Sequence, residues 1–229
     1  MLNFERTKTF NHLNSNSIPD IKTKNINGKR HYETPEGNYY PSITTVLSVR
    51  KNDGIQEWRN RVGEDVANHI SRTSATRGTQ VHHFCEYYLN NEEDSMIQTY
   101  GVGRFLSLCL FNQLKPVLDE KINNIYSQEV ALWSDELRLA GRVDCIAEYD
   151  GKLSIIDFKT SRKEREEKWN ESYYIQATAY AQMFEERTGQ PIDQIVIMCV
   201  TEDGTVQTFV HDKSDYIPLL NETLEMWYA

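Results

Sequence analysis

The spacing of apolar residues changes period along the chain, and each change marks a different kind of element. Residues 55–72 (IQEWRNRVGEDVANHISR) and 76–91 (TRGTQVHHFCEYYLNN) carry apolar or aromatic residues at intervals of three and four, the period of a helix. Residues 101–122 continue as a third helical region. Pro116 is expected to begin a second piece after Lys115, because proline lacks the amide that bonds back into the preceding turn. The pattern then shortens to runs rich in β-formers, Tyr126–Ser134, Arg138–Tyr149 and Lys152–Lys159. Asp135-Glu136 and Asp150-Gly151 part them and suit hairpin turns. Helical spacing returns at about Tyr173–Thr188, closed by Gly189 at the C-cap and Pro191 just beyond. Ile192–Thr201 reads as an apolar strand, Glu202-Asp203-Gly204 as a turn, Thr205–His211 as a strand and Ser214–Trp227 as a last helix.

Nearer the start, Pro35-Glu36-Gly37-Asn38 reads as a hairpin turn, and Pro41-Ser42 leads into a helix around Ile43–Val49. Residues 11–28 are Asn-rich and read as loosely ordered. We therefore expect a flexible segment over residues 1–30 and one domain over 31–229. The order is helices, three antiparallel strands, helix, strand, strand, helix. That order predicts an α/β (α+β) domain with a mixed sheet flanked by helices and a helical N-terminal part.

Composition narrows the function classes. A chain of 229 residues can bury a core without disulfide or metal staples. Its longest apolar run, Ile195–Val200, is far short of the roughly 20 residues of a membrane span. The first residues contain no apolar signal core, and with Glu5 and few arginines a cytoplasmic location in a bacterium or phage-infected host is expected ahead of a mitochondrial one. Cys85, Cys109, Cys145 and Cys199 form no CxxC pair, which argues against zinc-ribbon and iron–sulfur sites and for free thiols. The net charge of −9 argues against a protein that coats DNA non-specifically. Residues 1–63, however, hold ten Lys/Arg against six Asp/Glu. An acidic body with a basic N-terminal part fits either plain solubility or a carboxylate metal site served by a nucleic-acid contact.

The chemistry concentrates in GRVDCIAEYDGKLSIIDFKTS, Gly141 to Ser161. Asp157 and Lys159 are two apart on a strand, so their side chains share a face. Asp144 lies across the Asp150-Gly151 turn and can come within a few ångströms of Asp157. Two carboxylates that close repel, and a hard divalent cation relieves the repulsion. A bare D-x-K is most often a pair of charges at a strand end. Here Leu153, Ile155, Ile156 and Phe158 surround it, which marks a strand buried on both sides, where such charges need a reason. Gln176 and Tyr180, four apart on the later helix, share a face and can donate to phosphate oxygens, and a tyrosine can also stack a base. His82, four before Glu86 in RGTQVHHFCEYYL, is a candidate metal ligand, and His83 points about 100° away from it.

Together RGTQVHHFCE (77–86), GRVD (141–144), IIDFKT (155–160) and QATAY (176–180), in that order, resemble the PD-(D/E)xK nuclease superfamily. Within it the resemblance is to RecB-type exonucleases and the branch of the mitochondrial genome maintenance exonuclease with its phage-borne relatives. YYPSITTVLS (39–48) and Trp58 resemble the region ahead of that branch's first motif. The resemblance implies a restriction-endonuclease-like fold and a Mg2+- or Mn2+-dependent DNA exonuclease that prefers single-stranded ends. It further implies that Asp144, Asp157, the Phe158 carbonyl and His82 hold the metal, that Lys159 assists the attacking water, and that Gln176 and Tyr180 position DNA. Arg77, with Arg59 and Arg61 near Tyr39, Tyr40 and Trp58, could guide the strand. Glu86 and Glu129 are open between a site role and a local anchoring role. Val143 stands where the family name has proline, and the four-cysteine cluster clasp of some relatives is absent, so no iron–sulfur cluster is expected. A structure-specific endonuclease and a catalytically silent DNA-binding module are the alternatives.

Overall fold

Asn27 and Gly28 both have positive φ, 51° and 77°, the combination that a two-residue hairpin requires. In the computed structural model, which describes residues 8–13, 18–50, 53–92 and 104–229, they join β1 (Lys22–Ile26) to β2 (Lys29–Glu33). Strand β3 (Tyr39–Pro41) completes a small antiparallel sheet after the expected Pro35–Asn38 turn, where Thr34 donates its amide to the Asn38 carbonyl at 2.8 Å. Strand β1 thus falls inside the segment expected to be flexible. The Asn-rich composition hid an Asn-Gly turn. Of that segment, residues 1–7 and 14–17 lie outside the described residues.

Ser42 caps α1 (Ile43–Val46) by accepting the Thr45 amide, and a 3-10 turn, Leu47–Val49, extends it. Helices α2 (Asp53–Val62) and α3 (Glu64–Leu89) meet at Gly63, whose φ is 87°. The expected break at 73–75 is absent. Thr73 returns its hydroxyl to the His69 carbonyl at 3.0 Å and stays helical, so the interruption sits where glycine allows a left-handed residue. Helix α4 (Phe105–Lys121) runs through Pro116 without the expected restart, held by the fully buried Leu114 and Leu118 on either side. Its expected start at residue 101 lies outside the described residues.

Strands β4 (Ile122–Ser134), β5 (Leu139–Tyr149) and β6 (Lys152–Ser161) form an antiparallel meander. Asp150 and Gly151, at φ 48° and 77°, make the β5–β6 turn. Helix α5 (Glu171–Thr188), closed by left-handed Gly189, crosses over to β7 (Gln194–Thr201), which pairs parallel with β6. Strand β8 (Val206–Asp212) pairs antiparallel with β7, and α6 (Ile217–Tyr228) ends the chain. The result is a mixed five-stranded sheet in the order β4-β5-β6-β7-β8 with helices on both faces, the α/β class expected from the element order.

The two faces divide the core. Ile156, Phe158, Val196 and Met198 pack toward α3 and α4, while Ile155, Ile195 and Ile197 pack toward α1, α5 and α6. Strand β6 is therefore buried on both sides, and Asp157, in phase with Ile155, lies on the α5 side. Cys85, Cys145 and Cys199 are buried, and all four cysteines are free thiols.

Candidate active site

The β5–β6 ladder begins at Tyr149↔Lys152 and ends at Cys145↔Ile156. Beyond that pair β6 stays with β7 as far as Ser161↔Thr201, and β5 parts from it. Asp144 is the first β5 residue in the fork. Its Oδ2 accepts the Phe158 amide at 2.9 Å, supplying the acceptor that the diverging strand no longer provides.

Helix α3 brings His82 to the same oxygen. Val81, Phe84, Cys85, Tyr88 and Leu89 form its buried stripe, which leaves His82 at the margin with Nδ1 3.3 Å from Asp144 Oδ2. The Phe158 ring stands edge-on to the imidazole, with centroids 6.3 Å apart.

Strand β4 contributes Glu129. The pairs Gln128↔Cys145 and Val130↔Val143 put it opposite Asp144. Its φ is +46°, a conformation that costs a non-glycine residue of order 1–3 kcal/mol and that re-aims a side chain leaving a strand. The Arg142 guanidinium donates to the Glu129 carbonyl and holds the turn, and reaches Asp20 Oδ1 at 2.9 Å with its other nitrogen. One ligand atom from each of His82, Glu129 and Asp144 lies within 4.8 Å of the others.

Asp157 and Lys159 do leave β6 together, and the Lys159 ammonium pairs with Asp157 Oδ2. The Asp157 side chain is only 2% exposed and that of Lys159 18%. Burial pushes Asp157 up to about 6, against the pull of Lys159 and with a further push from the Asp144 charge. Burial works against the charge on Lys159, but Asp157 and Asp144 outweigh it and raise its pKa. Asp144 is likewise penalised by burial, yet His82, Lys159 and the Phe158 amide hold it below the usual carboxylate range. His82 loses to burial and gains more from Asp144, so its pKa rises. Glu129 goes up to about 7 through burial and its neighbours Asp144 and Glu86.

These donors fit a divalent cation. One imidazole and oxygen ligands from two strands converge, and the Asp144 charge adds to the cost of ionising Glu129, which a cation would remove. The converging set differs from the one the resemblance implied. Glu129 belongs to it, whereas Asp157 lies alongside with its carboxylate on Lys159, and Phe158 presents its amide to Asp144. The sequence signal for Glu129 was a lone acid in the β-rich run SQEVALW. Its role needed the register of β4 on β5.

Two expected DNA contacts turn inward. Tyr180 is buried, its ring against Gly141, where an added Cβ would stand 2.6 Å from Cε1. It offers no face to a base and instead accepts the Gln176 amide at its hydroxyl, 3.0 Å away. Arg77 pairs with Glu202 of the β7–β8 turn at 2.6 Å and is 13% exposed, so it ties α3 to the sheet rather than reaching out to a phosphate. Gln176 remains at the floor of a cleft of about 820 Å³ between α1, α2 and the start of α5.

A sequence model of the PD-(D/E)XK nuclease superfamily matches residues 49–226. The chain belongs to that superfamily. The match takes in α3, β4, the β5–β6 fork and the whole of α5, the elements that carry every residue of the site. Among named relatives, mitochondrial genome maintenance exonuclease 1 of Mus musculus is 28% identical over 134 residues, 55% of this chain and 38% of that protein. The Homo sapiens protein of the same name is 27% identical with the same coverage. An ATP-dependent helicase/nuclease component from Clostridium botulinum is 30% identical over 111 residues, 47% of this chain and 8% of that one. The chain thus spans well under half the length of these relatives. Among the described residues no helix is long and apolar enough to cross a membrane.

Proposed function

We propose that this chain is a DNA exonuclease that hydrolyses phosphodiester bonds with the help of Mg2+ or Mn2+ and works from single-stranded ends. The observation that supports it most is the fork itself: His82, Glu129 and Asp144 converge beside a buried Asp157–Lys159 pair. Relatives named as exonucleases favour that reaction over internal cutting.

His82, Glu129 and Asp144 would hold the cation, with Asp157 and the Phe158 carbonyl available to complete the set. Such a cation supplies Lewis acidity toward a phosphoryl oxygen and acidifies a water. Asp144, kept ionised by its neighbours, presents a fixed carboxylate whose position the Phe158 amide sets. Lys159 stays charged at neutral pH and can neutralise charge that builds on the phosphate as the bond breaks. Asp157 keeps that ammonium from folding outward. Gln176, fixed through its amide to Tyr180, has its carbonyl side free to orient a nucleotide in the cleft.

The test is a cleavage time course on end-labelled linear single strands and a circular single strand, in Mg2+, Mn2+ or EDTA. Loss of the linear strands alone, abolished by EDTA, is expected. Cutting of the circle would replace this reading by an endonuclease, and no metal-dependent cutting at all would leave a silent binding module.

A further inference from the structure

The cleft beside Lys159 carries an aromatic side chain that the fold does not use. Trp169, in the 3-10 turn Glu167–Asn170 that leads into α5, is 52% exposed and lines the cleft. A tryptophan left half in water on a rigid turn is an unusual use of the largest apolar side chain. The turn is indeed clamped. Arg165 donates through Nη2 to the Trp169 carbonyl at 2.6 Å and through Nε to Asn170 Oδ1 at 2.5 Å, and its own amide donates to Gln207 Oε1 on β8 at 2.7 Å. Trp169 is therefore presented to solvent by a fixed backbone.

Tyr173, one helical turn on, joins this surface to the catalytic pair. The Lys159 ammonium lies 4.9 Å from its ring centroid and the Arg165 guanidinium 5.2 Å. The cations have different freedom. Arg50, on the opposite wall, is taken by Glu171 at 2.9 Å and Glu222 at 3.0 Å. Lys168 meets Glu166 in a pair whose members are 74% and 56% exposed, a contact that a phosphate can replace. The cleft thus offers an exposed indole, a tyrosine ring and two positive side chains within a chain of net charge −9.

We infer that Trp169 and Tyr173, with Arg165 and Lys168, form a docking subsite for the nucleotides of single-stranded DNA next to the bond being cut. Stacking on an indole is open only to unpaired bases, since a duplex buries both faces of each base in its own stack, while cations at the margin track the backbone. The subsite rests on the nuclease reading of the fork and adds to it the reason for a single-strand preference. It also assigns the stacking role to Trp169, which is exposed, in place of the buried Tyr180.

The experiment separates the two readings by measuring binding without cleavage. Tryptophan emission is followed while a 12-mer of deoxythymidine is titrated into the protein in EDTA, for wild type, Trp169→Phe and Trp169→Ala. Stacking quenches indole emission, so we expect a quench in wild type that is lost in Trp169→Phe, although Trp58, Trp133 and Trp227 remain. Affinity should fall about tenfold in Trp169→Ala and recover most of the way in Trp169→Phe, which restores a ring. In Mn2+, the preference of the enzyme for the 12-mer over a dinucleotide should fall by a similar factor in Trp169→Ala. A quench that persists in Trp169→Phe, with an affinity in Trp169→Ala equal to wild type, would overturn the subsite whatever the cleavage assay shows. A quench and affinity loss as expected, in a protein that cuts nothing, would keep the subsite and overturn the nuclease reading.

Discussion

The Asp144 carboxylate takes the place of a backbone carbonyl, accepting the Phe158 amide at 2.9 Å where β5 parts from β6. One oxygen thus satisfies a buried donor, meets His82 at 3.3 Å and points into the donor cluster. Structure and chemistry share an atom, and substitutions can separate them. Asp144→Asn keeps an acceptor for Phe158 and loses the charge, so cleavage should disappear with little change in melting temperature. Asp144→Ala also strands the amide and should cost about 1–3 kcal/mol of stability. In both variants the His82 pKa should fall below its ordinary value, because burial then acts without the Asp144 charge that offset it, as an NMR titration would show.

Glu129 should tie metal affinity to pH. Its carboxyl, raised to about 7, must lose a proton before it can bind a cation. Calorimetric Mn2+ affinity should therefore rise as pH increases through about 7, and Glu129→Gln should weaken binding and flatten that rise.

The same residue should lower stability when no metal is present. A folded-state pKa above the unfolded value means that the native protein binds more protons between about 4.5 and 7, so stability falls as pH rises through that window. At pH 8 in EDTA, Glu129→Gln should be more stable than wild type by about 1–2 kcal/mol, a figure discounted for the partial exposure of the group. Thermal melts at pH 5 and pH 8 check this, with the difference between the proteins shrinking at the lower pH.

Lys159 and Asp157 should have separable roles. Lys159→Ala should lose two to three orders of magnitude in cleavage while retaining Mn2+ binding, and Asp157→Ala should lose both. Lys159→Ala also leaves a buried carboxylate without its partner, at a cost of about 3–5 kcal/mol, and Asp157→Asn in the same chain should recover most of that. Equal loss of calorimetric metal binding in the two single variants would contradict the assignment.

Arg77 is expected to act on the fold and not on the substrate. Arg77→Met should lower the melting temperature by losing the tie between α3 and the β7–β8 turn, and adding Glu202→Gln should change it little further, because that partly exposed carboxylate is solvated already. The slope of oligonucleotide affinity against salt should stay as in wild type in the double variant. A slope reduced by about one would return Arg77 to the DNA-contacting role that its place in the motif suggested.

The sequence by itself determined the periodicities and therefore the class of fold. The two-sided apolar run around Asp157 and Lys159 marked β6 as a central strand, the Asp150-Gly151 turn fixed which residues face each other across β5 and β6, and Gly189 ended α5 where expected. These are local signals, carried by residues within a few positions of one another. The passage of α4 through Pro116 departs from the local signal because buried packing around Leu114 and Leu118 holds it, whereas the break between α2 and α3 follows another local signal, Gly63, that the apolar spacing passed over.

Only the tertiary structure decided the composition of the site. Glu129 meets Asp144 through strand register and a left-handed residue, Arg77 is drawn to a turn 125 positions away, and Tyr180 is buried by the close approach that Gly141 permits. Trp169 stands out only once its exposure is known. A side chain's chemistry is written at its own position, but its protonation, partners and access to solvent depend on charges and surfaces brought next to it from distant parts of the chain.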